Sequence, residues 1–197
     1  PKPSCHFSIK LKKSAYSISS RRIKQKSNTT SDKCSTFTVP LKAPNCWIND
    51  PNGFIWYKGQ YHLFYQCFPY APQWGRMHWG HAVSKDLVNW EKKGIALYPT
   101  KIDDRSGCFS GSAVEQDRTL YLFYTGVNYL EENPEDINQC RNDQFLAAQM
   151  MISSDDGMTF DNVKRKKTVI PPITEKQIGS KTNTRDPKVW RGKDVWY

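Results

Sequence analysis

Residues 47–65 read WINDPNGFIWYKGQYHLFY, and the second half of that stretch decides the fold. Two aromatic-rich runs, Phe54–Tyr57 and Tyr61–Tyr65, are joined by Lys58-Gly59, which predicts a β-hairpin. The first half carries a carboxylate, Asp50, into a Pro-Asn-Gly turn. Pro and Gly narrow the backbone choices there, so Asp50 is expected in a fixed pose where a strand begins. An isolated Asp-Pro-Asn-Gly reads equally well as an ordinary β-turn. The rest of the chain decides between the two.

Working outward, the hairpin recurs. Ser112-Ala113-Val114, a polar turn over Glu115–Arg118 and Leu120–Tyr124 make a second copy. Lys188-Val189-Trp190, Arg191-Gly192-Lys193 and Val195-Trp196-Tyr197 begin a third. Behind the first two hairpins a further element repeats at identical spacing, Ser84–Trp90 and Ser154–Phe160, both S-x-D-x-x-x-aromatic. Each follows an apolar stretch, Ala82-Val83 or Met150-Met151-Ile152. Hairpin, strand, Ser/Asp turn and strand make one four-stranded antiparallel sheet. Serial copies of such a sheet are the signature of a β-propeller. The copies span about 50–100 and 107–171, and a third starts near 185. Propellers close with about four to eight blades. The chain is therefore expected to be all-β, supplying about two blades and the start of a third, as the N-terminal part of a longer protein. A self-contained β-sandwich would explain the strands but not their recurrence.

Composition agrees. Aromatic residues make up 13% of the chain, with seven Trp and ten Tyr, which suits strands or a sugar-binding surface. The net charge of +10 is concentrated: residues 1–30 hold eight Lys/Arg and no acid. Setting those eight aside leaves 21 basic against 19 acidic residues, so the body is almost neutral. This excludes a nucleic-acid-binding body; no nucleic-acid or membrane partner is expected. Residues 1–42 are expected to form a basic, disordered leader, and 43–197 the propeller part. No apolar run has the length of a secretory core or a membrane span, so a cytoplasmic setting is expected. Six cysteines lacking C-x-x-C spacing point away from zinc.

The repeat also locates the chemistry. Asp50-Pro51 stands just ahead of the first hairpin and Asp186-Pro187 just ahead of the third. Innermost propeller strands enter around the central channel, so both carboxylates are expected to face one funnel although 136 residues apart. A turn residue explains either one alone, less readily the pair. Gln66 ends the first hairpin, Trp74-Gly75 and His78-Trp79-Gly80-His81 fill a Gly-rich loop, and Phe109-Ser110-Gly111-Ser112 places two hydroxyls before the second. Such groups could hold and stack a sugar ring. Against that, Trp79 is expected in the core, His78 and His81 as structural histidines, and Ser110 as a turn cap. Asp86 and Asp156 are expected in Asx-turns, and Lys164-Arg165-Lys166-Lys167 in a solvated turn.

WINDPNG with FYQ, WG-x-x-HWGH, FSGS and RDP, in that order, closely resembles glycoside hydrolase family 32: invertases, sucrose-6-phosphate hydrolases, levanases and inulinases. The resemblance covers about residues 45–197 and implies a five-bladed propeller. It implies Asp50 as the nucleophile toward a β-D-fructofuranosyl unit and Asp186 as the transition-state stabiliser. Asn49, Gln66, Trp74, Ser112 and Arg185 would line the fructose subsite. The family's acid/base is a Glu in a Glu-Cys pair beyond RDP; these 197 residues contain no such pair, so none of their Glu is given the role and the isolated chain is expected to be inactive. No metal or cofactor is implied. The expected reaction is retaining hydrolysis of sucrose, sucrose-6-phosphate or fructans. The alternatives are fructosyl transfer on the same fold, separable by products, and a non-catalytic fructan-binding propeller.

Overall fold

The computed structural model describes residues 46–175, 177–193 and 195–197. The basic leader expected over 1–42 lies outside the described residues. Ten strands follow one another: β1 (Trp47–Tyr57), β2 (Gln60–Phe68), β3 (His78–Ser84), β4 (Glu91–Leu97), β5 (Gly107–Gln116), β6 (Thr119–Tyr129), β7 (Glu132–Asn133), β8 (Asp136–Cys140), β9 (Phe145–Ser154) and β10 (Lys167–Ile170). Among the described residues there is no α-helix.

The strands form two four-stranded antiparallel sheets, β1-β2-β3-β4 and β5-β6-β9-β10. Both are meanders, as the repeat requires. The second departs in one respect: β7 and β8 form a separate small hairpin inserted between β6 and β9. Their polar sequence, Glu132–Cys140, carries no alternation that would mark a strand pair. The second hairpin also turns more tightly than expected. Glu115 and Gln116 still pair within the ladder, and Asp117-Arg118 alone turn the chain, both at positive φ. The third hairpin has begun by the last residues: Trp190 and Tyr197 exchange backbone hydrogen bonds at 3.1 and 3.0 Å, and Gly192 N–H reaches Val195 O at 2.8 Å.

Period-two alternation sends Tyr57, Phe64, Trp79 and Leu97 from the first sheet, and Leu120, Leu122, Tyr124, Met150 and Ile152 from the second, into one shared core. Phe54 and Trp56 point the other way and are 52% and 53% exposed. Phe160, the aromatic closing the second Ser/Asp turn, packs edge-on against Phe64 with ring centres 5.7 Å apart. Trp79 is fully buried, as expected for a core residue, and its indole N–H donates to Phe109 O at 3.0 Å. Gly53, at φ 52, lets β1 lie on β5, since a Cβ there would stand 3.0 Å from the Phe64 ring and 3.2 Å from Ala113.

The two Ser/Asp turns match atom for atom. Asp86 Oδ1 accepts the N–H groups of Val88 and Asn89 at 2.9 and 2.7 Å. Asp156 Oδ1 accepts those of Met158 and Thr159 at 2.8 and 2.7 Å. Ser84 and Ser154 cap them identically, through Leu87 N–H and Gly157 N–H, each at 2.9 Å. These are the Asx-turns the spacing implies.

The basic run does not form a solvated turn throughout. Lys166 is buried, its side chain wholly inaccessible, and its ammonium lies 2.5 Å from the equally inaccessible carboxylate of Asp104. That carboxylate also accepts Tyr124 OH at 2.8 Å and the N–H groups of Thr100 and Lys101 at 2.8 and 2.7 Å. Lys166 further donates to Tyr98 O. A buried charge needs this number of partners. One ammonium in four consecutive basic residues is thus spent fastening the chain after β4 to the start of β10.

Candidate active site

The two sheets present the same irregularity at the same place. In the first, Ile48 pairs Cys67 and Pro51 pairs Tyr65, so Asn49 and Asp50 together oppose Gln66. In the second, Cys108 pairs Gly126 and Gly111 pairs Tyr124, so Phe109 and Ser110 together oppose Thr125. Each is a β-bulge, which takes two side chains off the ladder and re-aims them. Asp50 and Ser110 are therefore equivalent residues of successive repeats. They meet: Ser110 Oγ donates to Asp50 Oδ2 at 2.8 Å.

Around Asp50 the amides are engaged with one another. Asn49 Nδ2 donates to Gln66 Oε1, and Asn49 Oδ1 accepts the Trp47 indole N–H at 3.0 Å. Asn52, buried two residues on, accepts Gly111 N–H at 3.1 Å and so ties the first bulge to the next sheet. Trp74 stands edge-on to Phe109 with ring centres 6.1 Å apart, beside the Ser110 bulge.

Asp186 arrives from the third repeat. Its backbone N–H donates to Thr125 Oγ1 at 2.7 Å, and its φ is 61°. Burial raises its carboxyl pKa, the Arg185 guanidinium opposes that rise, and the negative charge of Asp50 adds to it. Asp50, far away in sequence, thus lies near enough for its charge to act on Asp186. Arg185 Nε stands 3.9 Å from Asp186 Oδ2, with the guanidinium exposed.

Ser112 stands apart from this cluster. It is 3% exposed, donates to Pro187 O at 2.9 Å and accepts Val189 N–H at 3.0 Å. Its hydroxyl is committed to the backbone of the third repeat, much as Asn52 is committed to the second. Ser110 supplies the hydroxyl beside Asp50 instead. A single residue, Gly111, separates these serines in FSGS, and a bulge of one residue decides which of them reaches the carboxylate; nothing in the sequence marks it.

The histidines are structural. His81 is stacked on Phe64 at 4.3 Å between ring centres, and its Nε2 is hydrogen-bonded to His62 Nδ1 at 3.0 Å. His78 Nδ1 hydrogen-bonds Arg76 O at 2.9 Å. Among the described residues no group of three His, Cys, Asp or Glu side chains converges as a metal site.

Serial four-stranded sheets with a carboxylate on a bulge, a hydroxyl from the equivalent bulge beside it, flanking amides and an indole, and a second carboxylate near enough to feel the first, define the class of a carbohydrate-handling β protein. Residues 41–197 match the model of the glycosyl hydrolases family 32 N-terminal domain, and the chain belongs to that family. It is 44% identical over 154 residues to a sucrose-6-phosphate hydrolase of Zymomonas mobilis, covering 77% of this chain and 27% of that protein. It is 41% identical over 158 residues to a raffinose invertase of Escherichia coli, covering 80% and 30%. Among solved structures, a family 32 beta-fructofuranosidase of Bombyx mori in complex with sucrose superposes with a TM-score of 0.62 and 36% identity, covering 78% of this chain and 29% of that one. Fructan 1-exohydrolase IIa of Cichorium intybus gives 0.60 and 33%, covering 79% and 27%. The chain thus spans less than a third of the length of each of these relatives.

Proposed function

We propose that this chain is the N-terminal part of a five-bladed propeller that carries a retaining β-fructofuranosidase. Asp50 is the nucleophile. Its carboxylate attacks the anomeric carbon of a β-D-fructofuranosyl unit while the bond to the leaving oxygen breaks, and that oxygen takes its proton from a Glu supplied beyond residue 197. Water, deprotonated by the same Glu, then breaks the fructosyl ester and returns Asp50 as carboxylate. Asp186 accepts hydrogen bonds from fructose hydroxyls, which strengthen as positive charge develops on the ring. Asn49, Gln66, Trp74 and Arg185 line the same sugar, Ser110 holds one Asp50 oxygen so that the other faces the ring, and Ser112 supports the subsite from behind.

The observation that carries this reading is that Asp50, held by Ser110 from the equivalent bulge of the next repeat, lies near enough to Asp186 for its charge to act on that second carboxyl. The names of the relatives support a fructose-containing saccharide as substrate, sucrose or its 6-phosphate first. A ring of five blades would also cover the outward face of Phe54 and Trp56, which the first sheet leaves bare.

The test is hydrolysis of sucrose and sucrose-6-phosphate by the complete gene product that carries this chain, beside its Asp50→Asn variant. A folded variant with its rate reduced by at least about a thousand-fold is expected, since loss of a catalytic nucleophile removes several kcal/mol of transition-state stabilisation. Parental turnover in Asp50→Asn would rule out the assignment.

A further inference from the structure

Thr125 and Gln149 are direct cross-strand partners on β6 and β9, and both are buried. Thr125 Oγ1 accepts Asp186 N–H at 2.7 Å and donates to Gln149 Oε1 at 3.5 Å. The Gln149 amide nitrogen donates to Thr184 O at 2.6 Å. This relay grips the chain on both sides of Arg185. Asp186, the residue held by the second grip, sits at φ 61°, in the left-handed region that few residues with a side chain adopt and that Asp enters more readily than most. Thr125 is also the residue opposite the Phe109-Ser110 bulge. One hydroxyl on the second sheet therefore stands behind both the Ser110 side and the Asp186 side of the site.

We infer that Thr125, backed by Gln149, is a positioning residue for Asp186: its hydroxyl supplies the acceptor that holds the Asp186 backbone left-handed and so aims that carboxylate toward Asp50. The inference rests on the reading of Asp186 as the transition-state stabiliser. Thr125 itself touches no substrate in this arrangement. Its influence passes through one backbone N–H, which would otherwise be left without that acceptor. The charged groups acting on Asp186 are Asp50 from β1 and its neighbour Arg185.

The test uses the complete gene product and three variants, Thr125→Val, Thr125→Ser and Asp186→Asn, with sucrose as substrate. Thr125→Val keeps the shape and removes the hydroxyl. The expected result is a kcat about ten- to a hundred-fold lower in Thr125→Val, a smaller change in KM, and recovery of most of the loss in Thr125→Ser. The acid limb of the pH profile should also move to lower pH in Thr125→Val, because an Asp186 that leaves its place loses the burial, and with it the nearby Asp50 charge, that raise its carboxyl pKa. If Thr125→Val fails to fold, Gln149→Met is read in the same way. A folded Thr125→Val with parental kcat and acid limb, while Asp186→Asn is inactive, overturns this inference alone. Full activity in Asp186→Asn overturns the role of Asp186, and the inference with it.

Discussion

Single residues in this protein take their roles from how many partners reach them. Asp86, in a turn, and Asp50, on a bulge of β1, are both exposed aspartates, but Asp86 is saturated: the Asn89 N–H and amide, the Val88 N–H and Ser84 all reach it and hold its carboxyl below the usual range. Asp50 receives a side-chain donor at one oxygen, from Ser110. A carboxylate bonded on every side is a turn; one held at a single oxygen is available for chemistry. The histidines show the opposite extreme. Burial holds His81 down at about 3, with the neighbouring His62 and Lys93 adding to the effect. In the unfolded chain the same imidazole titrates near 6.5. Above that value both states are neutral and nothing is lost. As pH falls from about 6.5 toward 3 the unfolded chain takes up a proton that the folded protein refuses, so stability falls with pH across that window. Unfolding at pH 7 and pH 5 should therefore differ by on the order of 2 kcal/mol from this residue. Urea titrations of the parent and of His81→Phe check it, and an equal pH dependence in the two proteins would refute it.

At the scale of elements, the sheets are fastened to one another by buried polar side chains as much as by the apolar core. Asn52 reaches from β1 to Gly111, Ser112 from β5 to Pro187 and Val189, and Lys166 from the start of β10 to Asp104 and Tyr98. The first two occupy matching positions two residues beyond Asp50 and Ser110, so each repeat clasps the next. The third is the costliest to break. Lys166→Met leaves the Asp104 carboxylate buried without its cation and should destabilise by about 3–5 kcal/mol. Adding Asp104→Asn should recover much of that, because the uncompensated charge is gone. A thermal-unfolding cycle over the two single variants and the double one measures it; additive losses would show that the pair is not coupled.

The elements also show what sequence can carry. Hairpins and Ser/Asp turns were legible because period-two alternation and turn chemistry are local, and their repetition at equal spacing exposes the sheet as the unit. The matching places of Asp50 and Asp186 were legible for the same reason, as equivalence of position within repeats. The bulges were not. One extra residue at Asn49-Asp50 or Phe109-Ser110 leaves no compositional mark, yet it determines that Ser110 faces the site while Ser112 turns into the backbone behind it. Nor was the depth of Lys166 legible, since its partner Asp104 lies 62 residues away and a run of four basic residues reads as surface.

Over the whole molecule, the arrangement is serial. The bulges of the first two sheets bring Asp50 and Ser110 into contact, and Asp186 stands at the matching position ahead of the third hairpin. On the proposed roles, a nucleophile, a supporting hydroxyl and a stabilising carboxylate would all come from equivalent positions of a repeat, far apart in sequence. In the proposed reaction the first of them, Asp50, bonds covalently to the sugar. The direct measurement is mass spectrometry of the complete gene product, quenched in acid during steady-state turnover of sucrose and digested to peptides. A hexosyl adduct on the peptide containing Asp50, absent from the Asp50→Asn variant, is the expected result. An adduct on another carboxylate, or an Asp50 peptide that stays unmodified while another fructosyl ester accumulates, would contradict it.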